Sequence, residues 1–250
     1  MKIALAATAA LFCLAFDIHA ADVTVLSAGA VKSALTVATQ AWSKKQGIGV
    51  NATFASAGEL RGKVAAGEMA DILIVPSEGL AGYEKAGAVL PATRRDLGAV
   101  VIGLAVKQGA AMPDISTPEA FKRTLQQAKS LTYMDPTRGT SGKHVDESVL
   151  PRLGIRDEVR AKTKFGEGGF IADKVAKGEV ELALHQMTEM LPVPGITIVG
   201  PLPKELQKET VYAAVIMNGA KNPTDAEALL AYLVSPEGRK VFLERGFSPP

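Results

Sequence analysis

The sequence predicts an α/β protein. Apolar runs of strand length alternate with stretches whose apolar residues recur at helical spacing, and small-residue turns join many of these pairs. Size fits as well: 250 residues, 47% hydrophobic and 22% charged, suffice for one large domain or two lobes of about 110 residues each.

The first twenty residues stand apart. Lys2 precedes an apolar run from Ile3 to Phe16, and small residues follow at Ala20 and Ala21, the pattern of a secretory signal peptide over residues 1–20. No later stretch approaches the roughly 18–20 apolar residues of a membrane helix. The single cysteine, Cys13, falls inside this segment behind the large Leu11 and Phe12, which do not suit a lipid-attachment site. The mature chain is therefore expected to be secreted and to hold no thiol, disulfide or thiolate metal site. Losing Lys2 and Asp17 takes the charged residues from 28 basic and 26 acidic to 27 and 25, so the net charge stays at +2. Basic residues are scattered and not interleaved with aromatics, which excludes a nucleic-acid partner.

The elements follow in order. Val23 to Leu26 reads as a strand, Ser27 to Ala30 as a tight turn, and Val31, Leu35, Ala38 and Trp42 as the apolar face of a helix ending at Gly47. Val50, Ala52 and Phe54 alternate as a second strand, and Ser56 with Glu59 has capping-box spacing at the head of the next helix. Asp71 to Val75 is a strand, followed by a helix from about Glu78 to Ala86. Val100 to Val106 reads as one apolar strand, Thr117 and Pro118 open a helix, and Leu131 to Met134 is a strand broken by Asp135 and Pro136. A helix over residues 141–153, a strand near Thr163 to Phe165, a helix after Gly169 and an alternating run from Val180 to Leu184 come next. Strands at Ile196 to Val199 and Val211 to Met217 precede two tail helices, capped by Thr224 with Glu227 and by Ser235 with Pro236.

Signatures of catalysis are missing. The mature chain has two histidines, His144 and His185, and no HExxH, P-loop, GxSxG or GxGxxG pattern. Ser141 and His144 sit three apart on one helix turn but without an oxyanion site between them, so no catalytic residue, metal or cofactor is assigned. His185 ends a strand, where α/β sheets place their ligands, and is a candidate contact. Three small-residue turns each open a helix: Ser27 to Ala30, Ser56 to Gly58 and Gly139 to Gly142. A helix start carries unpaired N–H donors and partial positive charge, so several of them converging would hold a small anion without arginines. Taken singly, Ser56, Thr140 and Ser141 are also ordinary helix caps. The turn Gly166 to Gly169 has the same form around Gly168, but Glu167 would repel an anion unless turned outward, protonated, or paired with Arg138 or a nearby lysine.

Four segments, VTVLSAGAVKSAL, FASAGELRGKVAAGEMADILIVPSEGL, MDPTRGTSGKHV and ALLAYLVSPEGRKVFLERGF, together resemble the periplasmic molybdate-binding protein family of ABC importers, in order and over nearly the whole mature chain. The resemblance implies a type II periplasmic binding fold: two α/β lobes, each a mixed, mostly parallel sheet flanked by helices. Two crossing strands, near residues 99–106 and 211–217, would join them. Lobe one would comprise residues 21–100 and 216–250, lobe two residues 101–215, with the ligand between them. It also implies a monomeric receptor that closes on its ligand by a hinge and delivers it to a membrane permease.

In that family neutral donors from both lobes hold molybdate or tungstate. Here the hydroxyl of the first turn falls at Ala30, that of the second at Ala57 beside Ser56, and the late-strand tyrosine at His185, while Thr140 and Ser141 match. Each missing donor costs about 1–3 kcal/mol. Two ligand classes therefore remain: a molybdate-like oxyanion held by backbone N–H groups, or a small carboxylate met by Arg61, Arg138 or His185. Outside the receptor class, a secreted hydrolase or an effector-sensing domain of the same fold remain as alternatives.

Overall fold

The structure, a computed structural model, describes residues 22–250. The signal-peptide reading of residues 1–20 and the reading of Cys13 lie outside the described residues.

Nine strands form two sheets. The first has the order β2-β1-β3-β9-β4, from β1 (Val23–Ala28), β2 (Val50–Ala55), β3 (Ile72–Pro76), β4 (Arg95–Val100) and β9 (Thr210–Ile216). The second has the order β6-β7-β5-β8, from β5 (Ile102–Lys107), β6 (Leu131–Tyr133), β7 (Leu182–Gln186) and β8 (Ile196–Pro201). β1 pairs parallel with β2 and β3, and β6 with β7, while every pair that includes β9 or β5 is antiparallel. Both sheets are thus mixed, and antiparallel pairs are numerous because the strands next to the crossings run back against their neighbours.

Helices cover the sheets. In chain order they are α1 (Lys32–Gln46), α2 (Ala57–Ala65), α3 (Leu80–Lys85), α4 (Pro118–Gln127), α5 (Thr140–His144), α6 (Leu150–Leu153), α7 (Arg156–Ala161), α8 (Asp173–Ala176), α9 (Met187–Met190), α10 (Pro223–Leu233) and α11 (Pro236–Glu244). Each sheet has its own core: Leu35, Trp42, Ile72, Ile74 and Phe242 are buried against the first, Phe121, Leu125, Tyr133, Val149 and Leu184 against the second. Packing of this kind, with apolar stripes on one face of each layer, is what the alternation of strand and helix periods dictates.

Several expectations change in detail. The single strand expected over Val100 to Val106 is two, because the chain leaves the first sheet at Val100 and enters the second at Ile102. Residues 210–215, expected in the second lobe, lie in the first sheet, since β9 is hydrogen-bonded to β3 and β4 over its length. The return passage therefore falls at residues 202–209. Near Thr163 the chain runs beside β6 through isolated bridges to Leu131 and Met134 and forms no ladder. Asn222, not Thr224, precedes α10, with Pro223 in its first turn. Between α5 and α6 the residues Val145–Val149 widen into a π-helix, where the ring of Pro151 faces the carbonyl of Glu147 and its missing N–H cannot bond back.

Two polar anchors fix the frame. Gln207 bonds Ile102 twice, accepting from its N–H at 3.0 Å and donating to its carbonyl at 2.7 Å, so a side-chain amide ties the two crossing segments together as a strand would. Asp71, at the head of β3, accepts from the N–H and hydroxyl of Thr24 at 2.8 and 2.7 Å and from the N–H of Asn222 at 2.8 Å. Burial alone would raise its pKa, but these donors outweigh burial and hold the carboxyl below its ordinary 3.8.

Replacing Gln207 by Ala strands a buried N–H and should cost about 1–3 kcal/mol in urea unfolding. For Asp71 the folded pKa lies below the unfolded one, so its contribution is complete at neutral pH and is lost as pH falls through 3.8 toward the folded value. Asp71→Asn should therefore lower stability at pH 7 and flatten its decline below pH 5, read as urea midpoints across that range.

Candidate functional site

All four small-residue turns meet at one cavity of about 130 Å³ between the two sheets. Gly29 and Ala30 follow β1, Ser56 and Ala57 follow β2, Gly139 to Ser141 open α5, and Gly169 with Phe170 precedes α8. The floor is the end of β7 and the start of α9, with Tyr212 of β9 beside it. This volume is well below the roughly 300–1,000 Å³ of a drug-sized pocket and suits a small anion.

Of the residues singled out from the sequence, Ala30, Ser56, Ala57, Thr140, Ser141 and His185 line the cavity. Ser27, Arg61, Arg138 and Gly168 do not. Ser27 is fully buried in β1, where its hydroxyl turns back to the Ala28 carbonyl at 3.2 Å. Arg61 sits one helical turn beyond the start of α2, about 5 Å further from the cavity, and faces an adjoining groove. Arg138 lines the same groove and pairs with Glu59. Gly168 and Glu167 are exposed, and Gly169 takes the place expected of Gly168.

The donors at these turns are partly occupied. At the head of α2 the capping box forms as expected: Ser56 Oγ accepts from the Glu59 N–H, and the Glu59 carboxylate accepts from both the N–H and the hydroxyl of Ser56 at 2.9 Å. Those bonds, joined by Arg138, hold the Glu59 carboxyl below the usual carboxylate range. The Gly58 N–H donates to the Arg138 carbonyl at 2.9 Å, so this turn is latched onto the loop before α5 and offers the cavity the Ala57 N–H. Gly142 is small for another reason than ligand approach: a Cβ there would overlap the Met134 carbonyl oxygen.

Apart from His185, the sequence did not single out the polar floor. His185 is 1% exposed; its Nδ1 lies 3.2 Å from Ser141 Oγ and its Nε2 3.2 Å from Glu189 Oε2. The second contact is at ion-pair distance but out of line for a hydrogen bond, so Nε2 has no hydrogen-bond partner. Glu189 is buried and reaches the cavity beside Gly29, where an added Cβ would come within 2.8 Å of its Oε1. Gln186 donates to Thr210 Oγ1 at 3.4 Å and leaves its buried Oε1 unpartnered. Burial, and then the charge of Glu189, hold the Tyr212 phenol well above its ordinary pKa, so it stays a hydroxyl donor at physiological pH. The Lys32 ammonium lies 5.7 and 5.4 Å from the ring centroids of Phe54 and Phe170 at the cavity rim. The i, i+4 spacing of His185 and Glu189 was visible in the sequence, but it spans a strand end and a four-residue helix, which carries no motif.

A family model described as bacterial extracellular solute-binding protein matches residues 23–248. The chain belongs to this family. It is a solute-binding protein of the ABC-transporter type, and membership implies a periplasmic location. Among the described residues no helix is long and apolar enough to cross a membrane. The aconitate isomerase of a Pseudomonas species is 33% identical over 231 residues, which cover 90% of this chain and 87% of that protein. The molybdate-binding protein ModA of Escherichia coli K12 is 26% identical over 231 residues, 90% of this chain and 88% of its own. Among solved structures, the periplasmic molybdate-binding protein of Azotobacter vinelandii superposes with a TM-score of 0.75 at 17% identity, covering 92% of this chain and all of that one. The two-lobed type II fold is thereby shared. Most members of the family are binding proteins without enzymatic activity, and the Pseudomonas relative, named as an isomerase, stands beside them.

Two glycine variants separate site from fold. Gly29→Ala should push on the Glu189 carboxylate and weaken ligand binding about tenfold in calorimetry with little change in melting temperature. Gly142→Ala should destabilise by about 2–3 kcal/mol in urea, because backbone and not a side-chain end blocks the methyl group.

Proposed function

We propose that this solute-binding protein captures a small organic polycarboxylate in the cavity, closes over it by a hinge between the two sheets, and presents it to an importer permease. The observation that carries the reading is the buried Glu189 carboxylate facing the cavity beside His185. Molybdate, tungstate and sulfate present only acceptor oxygens at neutral pH and have no proton to offer Glu189. A like charge about 4 Å away at an effective dielectric of 20 costs about 4 kcal/mol. An organic acid carrying a hydroxyl or a retained carboxyl proton can donate to Glu189, while its other carboxylates meet the Ala57, Thr140 and Ser141 N–H groups, the Tyr212 hydroxyl and Lys32.

Two further facts support this class. The hydroxyls that the molybdate-binding resemblance expects at positions 30 and 57 are alanines, and the 33% identical relative is named for aconitate, a propene tricarboxylate. Arg61 and Arg138 are not assigned to the ligand. Arg138 acts instead at the rim of the cleft, where its bonds to Glu59 and Gly58 join the two halves on closure.

A thermal-shift and calorimetry panel of molybdate, tungstate, sulfate, phosphate and di- and tricarboxylates, both aconitate isomers included, tests it. A ligand at 100 times its Kd adds about 2.7 kcal/mol, a rise of roughly 5–10 °C in a chain of this size. That rise is expected with one or more polycarboxylates and not with molybdate. A rise with molybdate or tungstate alone would overturn the reading.

A further inference from the structure

We infer that the cavity reads a hydroxyl: its ligand is a hydroxy polycarboxylate, and His185, Gln186 and Glu189 select it by bonding to a hydroxyl on the carbon chain between the carboxylates. The inference rests on the polycarboxylate reading and narrows it to one class of compound.

The starting point is a contrast among buried polar groups. Asp146 accepts from Tyr133 at 2.8 Å, from Arg156 at 2.6 Å and from Arg160 at 2.8 Å, and Asp71 accepts from Thr24 and Asn222. Both carboxylates are matched within the fold. At the cavity floor the matching stops. His185 and Gln186 are each 1% exposed and line the cavity, and among the described residues His185 Nε2 and Gln186 Oε1 have no hydrogen-bond partner. Buried polar atoms are nearly always bonded, so adjacent residues left unmatched on one cavity wall point to a ligand group that completes them.

The chemistry of these atoms defines that group. Nε2 lies 3.2 Å from a Glu189 oxygen, where a nitrogen lone pair would meet the lone pairs of the carboxylate, so the ring proton is assigned to Nε2. Nδ1 then accepts from Ser141 Oγ at 3.2 Å, which fixes the ring. The floor thus presents an N–H donor beside the Glu189 carboxylate and the amide oxygen of Gln186, whose nitrogen is turned to Thr210 Oγ1 at 3.4 Å. An ammonium only donates and leaves the Nε2 proton unanswered. A carboxylate or molybdate oxygen only accepts, and adds charge beside Glu189. A methylene does neither. A hydroxyl does both: it accepts from Nε2 and donates to Glu189 or Gln186. Ala57, Thr140 and Ser141 line the same cavity of about 130 Å³, so the carbon that bears the hydroxyl lies a short chain away from the carboxylates their N–H groups hold.

The test is calorimetry on the purified protein at pH 7.5 with matched compounds: 2-hydroxypropane-1,2,3-tricarboxylate against propane-1,2,3-tricarboxylate, and 2-hydroxybutanedioate against butanedioate and 2-aminobutanedioate. We expect a hydroxy compound to bind about 100-fold or more tighter than its deoxy partner, which leaves a buried donor and a buried acceptor unmatched. Glu189→Gln and Gln186→Met keep the side-chain volume and should each cut that ratio about tenfold or more. Misfolding weakens both members of a pair and leaves their ratio unchanged, so the ratio separates reading from stability. A protonated carboxyl also donates and accepts; its signature is a deoxy compound whose affinity rises about tenfold for each unit fall in pH, and that result overturns the inference. A ratio near one, or a 2-amino compound that binds tightest, overturns it as well and leaves the polycarboxylate reading standing. No binding of any polycarboxylate overturns both readings. An unchanged ratio in both variants overturns the assignment of the reading groups.

Discussion

The cleft depends on the way the backbone changes sheets at Val101. A strand pair that continued straight through would leave one sheet and no interface. Instead the polypeptide ends β4, turns at one residue and begins β5 in a different set of partners. The return passage is held against it by the Gln207 amide, which bonds both polar groups of Ile102, and by the Leu202 N–H, which donates to the same carbonyl at 3.0 Å. Two slender passages with side-chain bonding between them resist bending less than a continuous ladder does. The two hydrophobic cores lie on either side of these passages, so the proposed hinge closure would concentrate where few groups must re-pair.

Across the cleft the polar groups divide into two kinds. Those that hold the fold are saturated, such as Asp71, Asp146 and the Ser56–Glu59 cap. At the cavity His185 Nε2 and Gln186 Oε1 are left without a hydrogen-bond partner, with the Glu189 carboxylate 3.2 Å from the first. A folded chain does not hold open polar groups in its interior without cost, and the open ones lie within a few residues of each other along β7 and α9. In the proposed function the backbone donors at the turns would favour an anion, and the open groups on the floor would select among anions by asking the ligand for a proton as well as for charge.

Much of the site was legible at the level of turns. Small residues before a helix leave donors exposed, and that local rule brought out Gly29–Ala30, Ser56–Ala57, Gly139–Ser141 and the loop at Gly169, all of which line one cavity. The same rule misjudged single residues inside those turns. Ser56 caps its own helix, Gly58 and Gly142 are small because backbone from the opposing loop or strand end presses on them, and Arg138 is bound to Glu59. The outcomes at Gly58 and Arg138 are set by partners 80 and 79 positions away and that at Gly142 by backbone contact with Met134, none of which leaves a trace in local spacing.

The sequence by itself determined the α/β class, the order of strands and helices and the small-residue turns, because these follow from hydrophobic period, capping and glycine placement within a few residues. Only the tertiary structure decided where the chain changes sheets, which turn donors remain free, and that Glu189 and His185 share a cavity wall with Gly29 and Tyr212. The reason is physical: burial and open hydrogen bonds are properties of groups brought together across the fold, and a carboxylate that reads as a surface charge in the sequence becomes a buried acid when four distant segments close around it.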